Sequence, residues 1–252
     1  MGKKLKRKKD SKVANAVDTY KRGMELYLQG NDPVSGLKYL LKAAKAGYRK
    51  AYGEIGIILN REQNEPEKAE KWFKKAEKSD SLFPAAAYEY GMLFYLEKGD
   101  WETGLKYLLD SANKGYELAY GDIGIITYLE KEMINEAETW FKRADISDCL
   151  FAPAAYYYGL ILSIEKGKWG ESLKYLQKAA EEGFDLAYGQ LGTVLYLEKS
   201  EIDEAEKWFK RAEKAGCLLA PHAHDYGMLL IEERGDTERG NLYLEKATED
   251  GY

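Results

Sequence analysis

Ala119-Tyr120-Gly121-Asp122-Ile123-Gly124-Ile125-Ile126, followed by Ala137-Glu138-Thr139-Trp140-Phe141-Lys142-Arg143-Ala144, is the stretch on which the fold turns. Its first half recurs at 51–58 and at 187–194, and its second around Trp72-Phe73 and Trp208-Phe209, each copy 68 residues from the last. Within the second half Ala137, Trp140, Phe141 and Ala144 fall at i, i+3, i+4 and i+7, which is one face of a helix. The first half puts Ile123, Ile125, Ile126 and Leu129 on a second, shorter helix. The spacing predicts helix A over about 118–131 and helix B over about 135–144.

Outward from this stretch the same anchors continue along the chain. Gly23, Gly56, Gly91, Gly124, Gly159, Gly192 and Gly227 are spaced alternately 33 and 35 residues apart. An aromatic residue follows each glycine by 16 (Tyr39, Trp72, Tyr107, Trp140, Tyr175, Trp208, Tyr243), and a small residue comes four later. Turn signals separate the helices: Asn31-Asp32-Pro33, Gly99-Asp100, Gly167-Lys168 and Gly235-Asp236 inside pairs, and Pro84, Pro153 and Pro221 at the start of the next. One such pair cannot bury its apolar face alone, but stacked pairs share a continuous core. The expectation is an all-α protein: an α-solenoid of about seven two-helix repeats over 11–252, preceded by a disordered basic tail at 1–10.

Composition narrows the function classes. Residues 1–10 hold six basic groups and one acidic group, so the rest of the chain is more acidic than the net charge of -5 for the whole. Nucleic-acid affinity comes largely from Lys and Arg neutralising phosphates, so no nucleic acid is expected on the body. No apolar run approaches the length of a membrane span, and no membrane association is expected. Cys149 and Cys217 stand at equivalent repeat positions, too far apart for a disulfide across stacked helices. A reducing compartment, the cytoplasm, fits them.

On Ala-x-x-x-Ile-Gly in helix A (119–124) and Ala-x-x-Trp-Phe-x-x-Ala in helix B (137–144), the chain resembles the Sel-one-like repeat (SLR) family, a relative of the tetratricopeptide (TPR) repeats. The resemblance covers about residues 17–252. It departs from the family in lacking the Gly-x-Gly-Val insertion between helices, and its spacing of 16 from glycine to aromatic is the TPR value. The resemblance implies a right-handed superhelix with helix A lining the concave side, and an adaptor or scaffold for other proteins. It also implies that positions three before and one, four and five after the anchor glycine face the groove.

Two kinds of repeat alternate. Three before the glycine, odd repeats carry Tyr20, Tyr88, Tyr156 and His224, where even repeats carry Gly53, Gly121 and Gly189. Four before it, even repeats carry Tyr52, Tyr120 and Tyr188. Two readings stand side by side. In one, a large ring on one helix A fills the glycine socket of the next, Gly121 receiving Tyr88 or Tyr156. In the other, the same rings line a binding groove with the residues four after the glycine (Tyr27, Asn60, Tyr95, Tyr128, Ser163, Tyr196, Ile231) and one after it (Met92 among them). Tyrosine supplies contact area and a hydrogen-bonding tip at low entropy cost, and methionine adaptable contact. The partner-binding residues expected are Tyr27, Tyr95, Tyr128, Tyr196, Met92, Tyr88, Tyr156 and His224.

No catalytic constellation is evident. His222, His224 and Cys217 lack a fourth ligand at zinc-like spacing, and the carboxylates sit opposite Lys at helical spacing or in first helical turns. No cofactor, no metal and no enzymatic activity are expected. The leading reading is a protein-interaction module holding a peptide or protein in a tyrosine-rich concave groove. The alternatives are an immunity or inhibitor protein neutralising a basic effector, and a structural, self-assembling repeat protein. The last rests on the ending at Gly251-Tyr252, which matches Gly47-Tyr48, Gly115-Tyr116 and Gly183-Phe184, where another helix A begins. The chain is then part of a longer protein, or its uncapped final repeat faces a partner or a second copy.

Overall fold

A computed structural model describes residues 14–198 and 201–252, together with the bounds of the first helix. The tail expected at 1–10 lies outside the described residues. The chain forms two compact units, 1–119 and 120–252. The first holds α1 (Gly2–Leu28), α2 (Pro33–Lys45), α3 (Ala51–Arg61), α4 (Pro66–Lys78), α5 (Pro84–Lys98) and α6 (Trp101–Asn113). The second is made of α7 (Ala119–Leu129), α8 (Ile134–Ile146), α9 (Ala152–Leu160), α10 (Trp169–Glu181), α11 (Leu186–Leu197), α12 (Ile202–Lys214), α13 (Ala220–Arg234) and α14 (Thr237–Glu249). A π-turn, Ile161–Glu165, extends α9. Among the described residues all regular structure is helical, and the helices pair in order as antiparallel hairpins, each a helix A followed by a helix B.

The two kinds of repeat close differently. In odd hairpins the helices cross at small residues. A Cβ added to Gly91 would lie 2.8 Å from the Gly104 carbonyl oxygen, and one added to Gly227 would lie 2.8 Å from that of Gly240. In even hairpins the anchor glycine is the floor under a phenylalanine ring. A Cβ on Gly56, Gly124 or Gly192 would stand 2.4, 2.5 or 2.8 Å from Phe73, Phe141 or Phe209, whose side chains are fully buried. Glycine inside a helix costs about 1 kcal/mol against alanine. Burying a phenylalanine side chain contributes about 1.5–3 kcal/mol, so the exchange favours the ring.

A three-ring stack then ties each even hairpin to the odd one after it. Phe73, Tyr90 and Tyr107 lie 5.2 and 4.6 Å apart by ring centroid. Phe141, Tyr158 and Tyr175 follow at 5.9 and 4.3 Å, and Phe209, Tyr226 and Tyr243 at 5.2 and 4.5 Å. The outer tyrosines also donate across helices B: Tyr107 to Glu77, Tyr175 to Asp145 and Tyr243 to Glu213.

The glycine sockets on even helices A hold other residues than those expected. Gly53 faces Phe83 and Ala86, and Gly121 faces Phe151 and Ala154. Neither Tyr88 nor Tyr156 fills them. The loop before the odd helix A carries its phenylalanine back over the preceding glycine, and this ring occupies the socket. In the last even repeat the solution differs: Leu219 stands 68 residues after Phe151, and His222, in the place of Ala154, lies over Gly189.

Candidate protein-binding face

Each tyrosine three before the odd glycines packs on the aromatic corner that ends its own hairpin. Tyr20 meets Tyr48 at 4.8 Å, Tyr88 meets Tyr116 at 5.2 Å, Tyr156 meets Phe184 at 5.2 Å and His224 meets Tyr252 at 5.2 Å. Burial pushes the Tyr156 hydroxyl up to about 12. Tyr20 also donates to Glu54 at 3.2 Å, and burial holds the Glu54 carboxyl above its usual range. The tyrosines four before the even glycines turn toward helix B. Tyr120 and Trp140 share the Arg143 guanidinium, at 4.2 and 4.3 Å from the ring centroids, and Tyr188 and Trp208 share Arg211 in the same way. These cation–aromatic sandwiches brace the hairpin.

The tyrosines four after the glycine bridge successive helices A. In the first unit the Tyr27 hydroxyl donates to Glu62 at 3.2 Å. In the second, Tyr128 donates to Glu165 at 3.4 Å and Tyr196 to Glu232 at 2.7 Å. Burial, then the neighbouring carboxylate, raises the pKa of Tyr27, Tyr128 and Tyr196 above the ordinary phenol value, so each stays a donor at neutral pH. Tyr27, Tyr95 and Tyr128 are half-buried, whereas Tyr196 is buried at 7% exposure. Met92 is half-buried in a cleft of ≈ 310 Å³ on the first unit, beside Tyr88, Asn60 and Leu96. There Glu89 is buried and receives Arg61 Nε at 2.7 Å and Asn60 Nδ2 at 3.3 Å.

What the sequence reading left unnamed is the residue five after the glycine. Leu28 and Leu96 on the first unit are 69% and 66% exposed, and Leu129, Ile164 and Leu197 on the second are 44%, 57% and 48% exposed. They stand beside the bridging tyrosines in one register position. The signal was present, because an aliphatic residue stands at this position in five of the seven repeats, Arg61 and Glu232 being the exceptions, and in four of the five a glutamate follows it. The resemblance implies that this position faces the groove; the structure shows that its aliphatic side chains are exposed.

Thr193 Oγ1 gives its one proton to Asp225 Oδ2 at 2.7 Å, so it can only accept from His222 Nδ1, 3.1 Å away. His222 is buried and Cys217 donates to the Asp185 carbonyl, while His224 Nδ1 lies 3.4 Å from Asp225 Oδ1. Among the described residues no group of three or more His, Cys, Asp or Glu could hold a metal ion, and no helix is long and apolar enough to cross a membrane.

No family model matches the chain. A TPR repeat-containing protein of Dictyostelium discoideum is 32% identical over 85 residues, 33% of this chain and 32% of that protein. Among solved structures, an SLR-fold protective antigen of uropathogenic Escherichia coli aligns with a TM-score of 0.63 at 19% identity, over 86% of this chain and 49% of its own. YrrB, a TPR protein with an unusual peptide-binding site, aligns at 0.58 and 22% identity, over 71% and 92%. A Sel1 repeat protein of Oxalobacter formigenes aligns at 0.58 and 20%, over 91% and 99%. The chain spans about a third of its Dictyostelium relative and half of the E. coli antigen. The chain has the TPR/Sel1-like repeat fold.

Proposed function

We propose that the protein is a non-catalytic interaction module, an adaptor or scaffold, whose helix A faces hold a peptide or protein segment. The observation that carries this reading is the exposed aliphatic row five after the anchor glycines. It recurs at one register position beside the tyrosine bridges, although exposed leucine adds nothing to packing. Tyrosine, with its hydroxyl pre-bonded to a carboxylate, supplies rigid contact area next to that row. The peptide-binding site named for YrrB, a protein of the same fold, supports a peptide as ligand. The placement of Cys149 and Cys217 at equivalent repeat positions, 68 residues apart, supports a reducing compartment such as the cytoplasm.

The test is selection of binders from a random peptide library displayed on phage, followed by affinity measurement with Tyr128→Ala and Tyr95→Ala. Binders should be recovered, and Tyr128→Ala should weaken those held on the second unit and Tyr95→Ala those held on the first, while the melting temperature falls by less than about 5 °C. Recovery of no binder, or equal affinity for the parent and both variants, would overturn the reading.

A further inference from the structure

We infer that the helix A face of the second unit takes a cationic segment bearing aliphatic side chains. This rests on the interaction-module reading and adds to it the chemistry of the partner. Three observations point the same way. First, Leu129, Ile164 and Leu197 follow one another without a gap on α7, the π-turn after α9, and α11. In the first unit the same row is broken, because Arg61 takes the position between Leu28 and Leu96 and is bonded to the buried Glu89. Successive helices A are joined by Tyr128 to Glu165 and by Gln190 to Ser163, at 3.4 and 3.2 Å, so the three aliphatic residues form one row. At about 8–10 Å between packed helices, it runs for about 20 Å.

Second, every aliphatic residue of the row is followed directly by a glutamate: Glu130, Glu165 and Glu198, all exposed. Third, the two described cations beside the row, Lys131 and Lys166, are engaged on the other side, while Lys199 lies outside the described residues. Lys131 pairs with Glu136 at 3.1 Å and Lys166 with Glu138 at 2.9 Å, both on α8. Both lysines are drawn back onto helix B carboxylates, and Glu130, Glu198 and Glu165 (which also accepts the Tyr128 hydroxyl) remain exposed beside the row. An apolar row edged with outward-facing acid is complementary to lysine or arginine interspersed with leucine, isoleucine or valine. An acidic or purely apolar segment would leave those charges unmatched.

The same phage selection, run against the full chain, separates this inference from the reading beneath it. The expected result is enrichment of Lys/Arg together with Leu/Ile/Val. A synthetic peptide of the consensus should bind about tenfold more weakly to Ile164→Asn and to Leu197→Asn, and also to Glu130→Lys. All three positions are exposed, so melting temperatures should stay unchanged. Raising the salt from 0.05 to about 0.5 M should weaken binding as well. Enriched peptides that are acidic or lack aliphatic residues, or binding indifferent to Ile164→Asn, would overturn the inference while the interaction module stands. Recovery of no peptide would overturn both.

Discussion

A single substitution site shows how the repeat tolerates change. Gly53 and Gly121 are covered by a phenylalanine from the loop before the next helix together with a small alanine on that helix, whereas Gly189 is covered by His222, and the loop position holds Leu219. Volume has moved from one residue to the other. Leu219→Phe alone should crowd His222, and His222→Ala alone should leave a void over Gly189. Leu219→Phe with His222→Ala should restore the packing of the earlier repeats. The double variant should therefore be more stable than the sum of the single changes by about 1–2 kcal/mol, read from urea unfolding of the four proteins. The histidine also adds a pH dependence. Burial, opposed by Asp225, holds its pKa below the ordinary value, so the fold favours the neutral ring. The unfolded chain binds a proton near pH 6.5 that the folded chain resists, so stability from this group is complete above about 6.5 and falls as the pH drops below it. Between pH 7.5 and 5.5 the parent should lose more of its melting temperature than the double variant, and an equal loss in both would remove His222 as the cause. The anchors at this scale were legible from spacing, because a recurring glycine needs only a count. Its occupant was not. Sequence gives the register along one helix, but which neighbouring ring reaches a socket depends on the path of a loop, and Phe151 therefore took the place expected for Tyr88 or Tyr156.

Helix ends show the same mixture of rule and exception. In three odd hairpins an aspartate opens helix B: Asp32, Asp100 and Asp236 accept the backbone N–H of Ser35, Thr103 and Arg239 at 3.0, 3.0 and 3.1 Å. The third odd hairpin has Lys168 at this position, with no side-chain cap, after Gly167 in the same left-handed turn as Gly99 and Gly235. Lys168→Asp supplies the missing acceptor in a backbone already shaped for it, and places an anion at the helix N-terminus. The change also removes the ion pair with Glu171, which is exposed and worth little. The expected gain is about 0.5–1 kcal/mol, seen as a melting temperature raised by about 2–4 °C. A fall instead would mean that Lys168 acts elsewhere. The turns themselves were readable, since Gly-Asp and Pro at a helix start have fixed backbone preferences. The π-turn at Ile161–Glu165 was not, because α5 reaches its own glycine turn without one from a closely similar sequence.

Within each unit, repetition means that each hairpin's core is made with its sequence neighbours. The Phe–Tyr–Tyr stacks are the clearest expression: each joins an even hairpin to the odd one that follows, and recurs 68 residues on. Stability in such an array is close to a sum of hairpin terms and nearest-neighbour terms, so damage should stay local. Phe209 is fully buried over Gly192 and stacks on Tyr226, so Phe209→Ala should cost about 3–5 kcal/mol. That loss should fall on the last two hairpins. In native-state hydrogen exchange, amides of α11, α12, α13 and α14 should lose protection by orders of magnitude, whereas those of α3 and α4 should exchange as in the parent. A uniform loss along the chain would show instead that it opens as one cooperative body, and the sum of local terms would be the wrong description. The 68-residue period is legible in the sequence itself. That the stacks use Tyr90, Tyr158 and Tyr226 was not, because those rings sit one residue before the glycine, where helical spacing alone does not say which neighbour they meet. The outcome bears on binding as well: if hairpins yield independently, the row at Leu129, Ile164 and Leu197 can be remodelled by substitution without loss of the first unit's fold.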